Sequence, residues 1–238
     1  MAEQTTKPAF TVTEAINKGF ELTQKHWQKF LLLIIGAIIV FGCLSALSSA
    51  VFNEQGLGQL LVQLTSLVLS SIATIALIRF TLNTLDGKPT TLEVLLKLDW
   101  KMILSITLFS LLYGLGVVLG LFAFIVPGII LATGWYFAQY LIVDKRTDLL
   151  EAFKLSWRMS RGSRGRIFLF AVAIAIPAVV LSLVILALVG SVIMGAKLVL
   201  PSIVGVVLFL GVALLTEMVS SFGLAYIYRK LESKHHAS

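Results

Sequence analysis

The chain has 238 residues, of which 58% are hydrophobic and only 13% charged, with a net charge of +7 and a mean hydropathy of +0.97. Water-soluble domains carry roughly a quarter charged residues, so a soluble fold of this length would leave much apolar surface uncovered, and a single membrane domain over 1–238 is expected. The positive charge does not point to nucleic acid, because the basic residues flank apolar runs and form no basic module of their own.

In chain order, a mostly polar stretch, 1–29, precedes the first apolar run, Phe30–Phe52. That run exceeds the roughly 7–15 residues of a signal-peptide core, so it reads as a retained span. A helix needs about 20 apolar residues to cross a bilayer, and further spans are expected at Leu60–Leu82, Met102–Phe124, Pro127–Val143, Ile167–Val189 and Pro201–Ile227, a six-span bundle within 30–228. Within "FAFIVPGIILATGWYF", Pro127-Gly128 predicts a tight turn between spans three and four. The lone cysteine, Cys43, lies in an apolar run and has no partner for an internal disulfide.

Of the 19 Lys and Arg residues, all but one fall on the same side of this layout. They are Lys7, Lys18, Lys25 and Lys29 before span one, then Arg79 at the edge of span two and Lys88, Lys97 and Lys101 after it. Lys145, Arg146, Lys154, Arg158, Arg161, Arg164 and Arg166 follow span four, and Arg229, Lys230 and Lys234 follow span six. Only Lys197 is left over. Basic residues accumulate on the cytoplasmic side, so both termini, including the tail 229–238, are expected in the cytoplasm.

The connections on that side carry a repeat. Thr11-x-x-Glu14, Thr90-x-x-Glu93 and Asp148-x-x-Glu151 all have the spacing of a capping box, in which the first side chain caps an early N–H and the Glu reaches back to the cap. The first and last copies match further, Ala15 with Ala152, Gly19 with Ser156, Phe20 with Trp157 and Thr23 with Ser160. Val12, Ile16, Phe20 and Trp27 make an apolar stripe on the first; Leu149, Leu150, Phe153 and Trp157 do so on the last. Basic amphipathic helices beside a span lie in the membrane interface. The expected fold is therefore all-α integral membrane, with about six transmembrane helices as three hairpins. Each hairpin is preceded by a cytoplasmic interfacial amphipathic helix, within 1–29, near 90–101 and over 147–166.

The stretch "VPGIILATGWYFAQYLIVDKRTDLLEAFKLSWRMSRGSRGRIF", Val126 to Phe168, resembles the YciC-like bacterial inner-membrane proteins and is similar to the membrane domain attached to some glycerophosphodiester phosphodiesterases. The resemblance implies a six-span bacterial membrane protein and carries over no catalytic residue. No segment outside the spans is large enough for the phosphodiesterase domain.

Glu217 is the only acidic residue well inside a span, about three turns from Arg229 and hence roughly 18 Å from the basic edge. A carboxylate at that depth costs several kcal/mol unless protonated, paired or wetted. It marks either a proton, cation or substrate site with Thr216, Ser220 and Ser221, or a hydrogen bond that joins helices. Arg79 is its nearest conceivable partner, although an arginine there also reaches lipid phosphates. Tyr136 and Gln139, with Trp135 and Tyr140, form either a polar cavity wall or an aromatic belt. Pro177 is a hinge or a static kink in span five. Gly116-x-x-x-Gly120, with Gly114 nearby, permits close helix contact.

Arg158, Arg161, Arg164 and Arg166 exceed what orientation needs and suit anionic lipid headgroups. His26, His235 and His236 make no metal site, and no nucleotide, zinc-hydrolase or nucleophile motif is present. No cofactor and no enzymatic activity are expected. The expected function is that of a scaffold or accessory subunit that contacts anionic lipid and a membrane protein partner or a second copy of itself. The rival is a transporter of a small or amphiphilic solute that uses Glu217.

Overall fold

A computed structural model of the chain describes residues 9–51, 57–193 and 199–236. Lys7, Lys197 and the end of the first span at Phe52 lie outside the described residues, as do the last two residues of the C-terminal tail. The described residues form helices α1 (Val12–Val51), α2 (Leu57–Leu85), α3 (Leu92–Leu95), α4 (Trp100–Ala123), α5 (Ile125–Trp135), α6 (Ala138–Lys145), α7 (Leu149–Met159), α8 (Arg164–Ile193) and α9 (Val199–His236). Among the described residues, six stretches are long and apolar enough to cross a membrane: Val12–Leu44, Leu60–Leu85, Trp100–Ala123, Ile125–Lys145, Arg164–Ala187 and Val207–His235. The protein is an all-α, multi-pass membrane protein.

The sequential hairpins α1–α2, α4–α5 and α8–α9 each pack together, and α9 also lies against α1 and α2. Three buried phenylalanines fix the meeting of α1, α2 and α9. The Phe30, Phe80 and Phe222 rings stand 5.8–6.0 Å apart. A second aromatic group, Phe137, Tyr140 and Tyr228, joins α6 to α9.

The turn between spans three and four is not at Pro127-Gly128. Phe124 alone is extended and serves as both the C-cap of α4 and the N-cap of α5. Pro127 sits in the first turn of α5, where its missing N–H has no intrahelical role. Gly128 instead provides close approach, since a Cβ there would lie 2.8 Å from the Leu121 nitrogen, and one on Gly120 would lie 2.9 Å from the Gly128 Cα. The small residues of span three thus serve packing within the chain: Gly120 meets Gly128, Gly116 lies under Trp135, and Gly114 touches nothing. Span four is interrupted between α5 and α6 at Tyr136-Phe137.

The leading segments differ from one another. Residues 12–29 are not a separate interfacial helix, because α1 runs on into the first span with no Gly or Pro between Gly19 and Phe30 to stop it. The segment near 90–101 reduces to the single turn of α3, after which Asp99 caps α4 by accepting from the Lys101 N–H at 3.4 Å. Only the last copy is a free-standing helix, α7.

The capping boxes differ too. The first closes, with the Thr11 N–H donating to Glu14 (3.1 Å) and the Glu14 N–H to Thr11 Oγ1 (3.2 Å). The cap of α3 is Thr91, not Thr90, and makes no side-chain bond. Asp148 caps α7 without such a bond and pairs with Lys101 at 3.0 Å.

The docking of these segments follows one rule. The start of α1 lies on α9, α3 on α2, and α7 on α5 and α6. Each sits on the second span of the preceding unit, with the first unit docking on the last. In the outer copies the matched positions are buried alike: Ala15 and Ala152, Leu22 and Met159, Thr23 and Ser160. Gly19 faces the Val219 carbonyl, where a Cβ would stand 2.5 Å away. Ser156 and Ser160 both donate to the Gly134 carbonyl, at 2.8 and 3.3 Å, near the end of α5 where carbonyls lose their helical partners.

Candidate functional site

α9 carries Glu217, one turn before Ser221, whose hydroxyl donates to Glu217 Oε1 at 3.2 Å. The Glu217 side chain is not buried in the bundle. It opens onto two cavities. One, about 710 Å³, lies between α1 and α2 and has apolar walls that include Ala37, Phe41 and Ala73. The other, about 410 Å³, lies among α4, α5, α8 and α9 and holds Tyr113, Thr133, Tyr136, Thr216 and Ser220 beside Glu217.

The structure therefore brings Glu217, Ser220 and Tyr136 to one cavity. Ser221 is buried behind them, and Gln139 reaches the site only through its hydrogen bond with Tyr136. Among the described residues no cation pairs with Glu217. A carboxylate so placed is suited to take a proton, a hydrogen-bond donor or a cationic group entering from the side of the bundle.

Arg79 is neither a partner for Glu217 nor directed to lipid phosphates. Its guanidinium donates to the carbonyls of Leu95 (3.2 Å) and Lys97 (2.7 Å), holding α3 against α2. Pro177 lies inside the unbroken α8, and Ala175 and Ile174 line the smaller cavity where Pro177 does not.

Arg229 occupies the most connected polar site. It pairs with Asp86 at the end of α2 (2.6 Å), Asp144 near the end of α6 (2.7 Å) and Glu232 one turn ahead on α9 (2.8 Å). Lys145 adds a second cation to Glu232 (2.7 Å), Lys88 one to Asp86 (2.9 Å), and the Tyr228 hydroxyl donates to Asp144 (3.0 Å). Three cations thus meet three carboxylates where spans two, four and six end. Burial works to raise the Asp86 carboxyl, but the hydrogen bonds from Lys88 and Arg229 outweigh it and hold the group below its ordinary value.

Sequence reasoning used Arg229 only for orientation and as a depth marker for Glu217. A signal for the node was present, since Asp86 precedes Glu93 by the same spacing as Asp144 precedes Glu151.

The arginine cluster divides. Arg164 lies flat on the Trp157 ring, 3.6 Å from its centroid, and donates to the Trp157 carbonyl at 3.1 Å. Arg166 donates to the carbonyls of Phe10 (3.0 Å) and Gly162 (3.3 Å), tying α8 to the start of the chain. Arg158 and Arg161 are exposed. The chain matches no protein-family model, no curated protein and no solved structure.

Proposed function

We propose that this chain is a non-enzymatic, YciC-like protein of the bacterial inner membrane, with cytoplasmic termini. It acts as a scaffold or accessory subunit that contacts anionic lipid at its basic end and a membrane protein or a second copy of itself along its helix faces. One observation carries this reading: the bundle is filled at its basic end and open at its sides. Phe30, Phe80, Phe222, Phe137 and Tyr228 are all buried there, and the Arg229 node ties the ends of α2, α6 and α9 together beside them. The free apolar surface lies on the flanks, where Leu32, Phe122 and Leu186 are largely exposed, as suits contact with lipid or another helix.

Pull-down of the full chain in mild detergent, followed by mass spectrometry, tests this. A stoichiometric membrane partner, or a dimer that survives dilution, is the expected result. A strict monomer without partners would overturn it.

A second reading, transport of a small or amphiphilic solute, is favoured by the position of Glu217 between two cavities. It requires that proteoliposomes take up a cationic amphiphile and that Glu217→Gln abolish uptake. Unchanged uptake in the variant would end the role of Glu217.

A further inference from the structure

Beside α7 lies a groove of about 530 Å³ that contains none of the residues around Glu217. Its size suits a small-molecule or lipid-chain site. Leu112, Leu115 and Leu119 of α4 form one wall, at the spacing of a single helix face, and all three are exposed. Trp135 and Trp157 form the base, their rings 6.4 Å apart.

That base is built into the fold. Trp135 lies over Gly116, where a Cβ would stand 2.5 Å from its ring, and Trp157 lies over Gly134 in the same way. Both tryptophans need a glycine beneath them.

The rim of the groove is cationic. Lys154 and Arg158 stand one helical turn apart on α7, both exposed, and both line the groove. Among the described residues neither makes an ion pair, unlike Lys101, Lys145 and Arg229 nearby. An apolar trough beneath two uncommitted cations, in a helix leading into a span, matches one chemistry by charge and by polarity: a phosphate-bearing lipid with its headgroup on the rim and one acyl chain in the trough.

We infer that the groove between α4, α5 and α7 binds a single anionic phospholipid, with Lys154 and Arg158 on the phosphate and a chain along Leu112, Leu115 and Leu119. The inference rests on the proposed contact with anionic lipid and assigns that contact to one site. It moves the lipid contact away from Arg164 and Arg166, which are committed within the protein.

The test uses the full chain in detergent with Trp27 and Trp100 replaced by Phe, so that only Trp135 and Trp157 fluoresce. Phosphatidylglycerol and phosphatidylcholine with brominated chains are the quenchers. Phosphatidylglycerol is expected to quench at lower concentration. The double variant K154Q/R158Q is expected to weaken it by roughly tenfold or more, given about 1 kcal/mol per basic group near an anionic surface, whereas K97Q/K230Q is expected to leave it unchanged. L115F/L119F changes only exposed positions and narrows the trough, so it is expected to reduce quenching by both lipids even if the charge variant does not fold.

A preference for phosphatidylglycerol that survives K154Q/R158Q, or that falls equally in K97Q/K230Q, would overturn the site and leave general anionic-lipid contact standing. No preference in the unmodified chain would overturn both.

Discussion

The first and last leading segments start from the same pattern and end differently. Both place small residues at the same turns, Ala15, Gly19 and Thr23 against Ala152, Ser156 and Ser160, and both dock that face beside a glycine of an adjacent span. The first then continues as α1 into the membrane span, whereas the second stops. The difference sits at one aligned position. Where the first copy has Lys25, the last has Gly162, which adopts φ +77°. Only glycine takes that conformation without cost, and it lets the chain turn from α7 into α8. A docking face is therefore separable from the path of the chain after it.

The widest break in this comparison would come from Arg229, because it holds α2, α6 and α9 together, and both segments dock on spans of that group. Arg229→Ala leaves Asp86, Asp144 and Glu232 short of a cation. It should cost about 2–3 kcal/mol, reduced from the fully buried case by the partial exposure of the group, and thermal unfolding in detergent would show it. The same node sets a pH dependence. Because the Asp86 carboxyl is held below its ordinary value, its contribution is complete above the usual carboxylate range near pH 4 and is lost as pH falls through the lowered value. Arg229→Ala should flatten that acid limb of an unfolding titration.

Gly19→Leu attacks only the first docking face. Its nearest neighbour is the Val219 backbone, which cannot rotate away, so a loss of about 2–3 kcal/mol is expected. Ser156→Ala is the milder counterpart in the last copy. Ser160 still donates to the Gly134 carbonyl, and the loss should be about 1 kcal/mol. Equal losses for the two would mean that the faces do not dock by different chemistry.

Gly162→Ala should cost about 1 kcal/mol through strain at the turn, whereas Lys25→Gly should cost a similar amount by weakening α1. The smallest contrast concerns the caps. Thr11→Ala should cost about 1 kcal/mol. Asp148→Ala should cost a few tenths, because Asp148 makes no cap bond and only an exposed pair with Lys101.

The spans were legible because bilayer thickness imposes a length and a composition that local residues reveal. The Thr11 box was legible for the same reason, since both partners lie within one turn. Local signals misled where the deciding contact was distant. Pro127-Gly128 reads as a turn, yet Gly128 is spent on contact with Gly120, and the chain turns at Phe124. Arg79 reads as lipid-directed, but the carbonyls of Leu95 and Lys97, at and just after the end of α3, claim it. The Arg229 node joins residues far apart in the chain, and no periodicity within a helix could announce it. At the candidate site, Glu217 stood out by depth alone, but the two cavities it opens onto depend on how α1, α2, α4, α5 and α8 are arranged around it.

The docking of α1 on α9 closes the three units into a ring, although the chain is linear. During synthesis, the face formed by Ala15 and Gly19 exists long before Val219 and Gly223 are made, and Asp86 and Asp144 are in place before Arg229 arrives. The earliest helix must wait for the latest. Assembly is then completed by the last turns of the chain, and a product ending just short of Arg229 would keep Val219 and Gly223, the seat of the first helix, but leave Asp86 and Asp144 without the cation that joins α2 and α6 to α9.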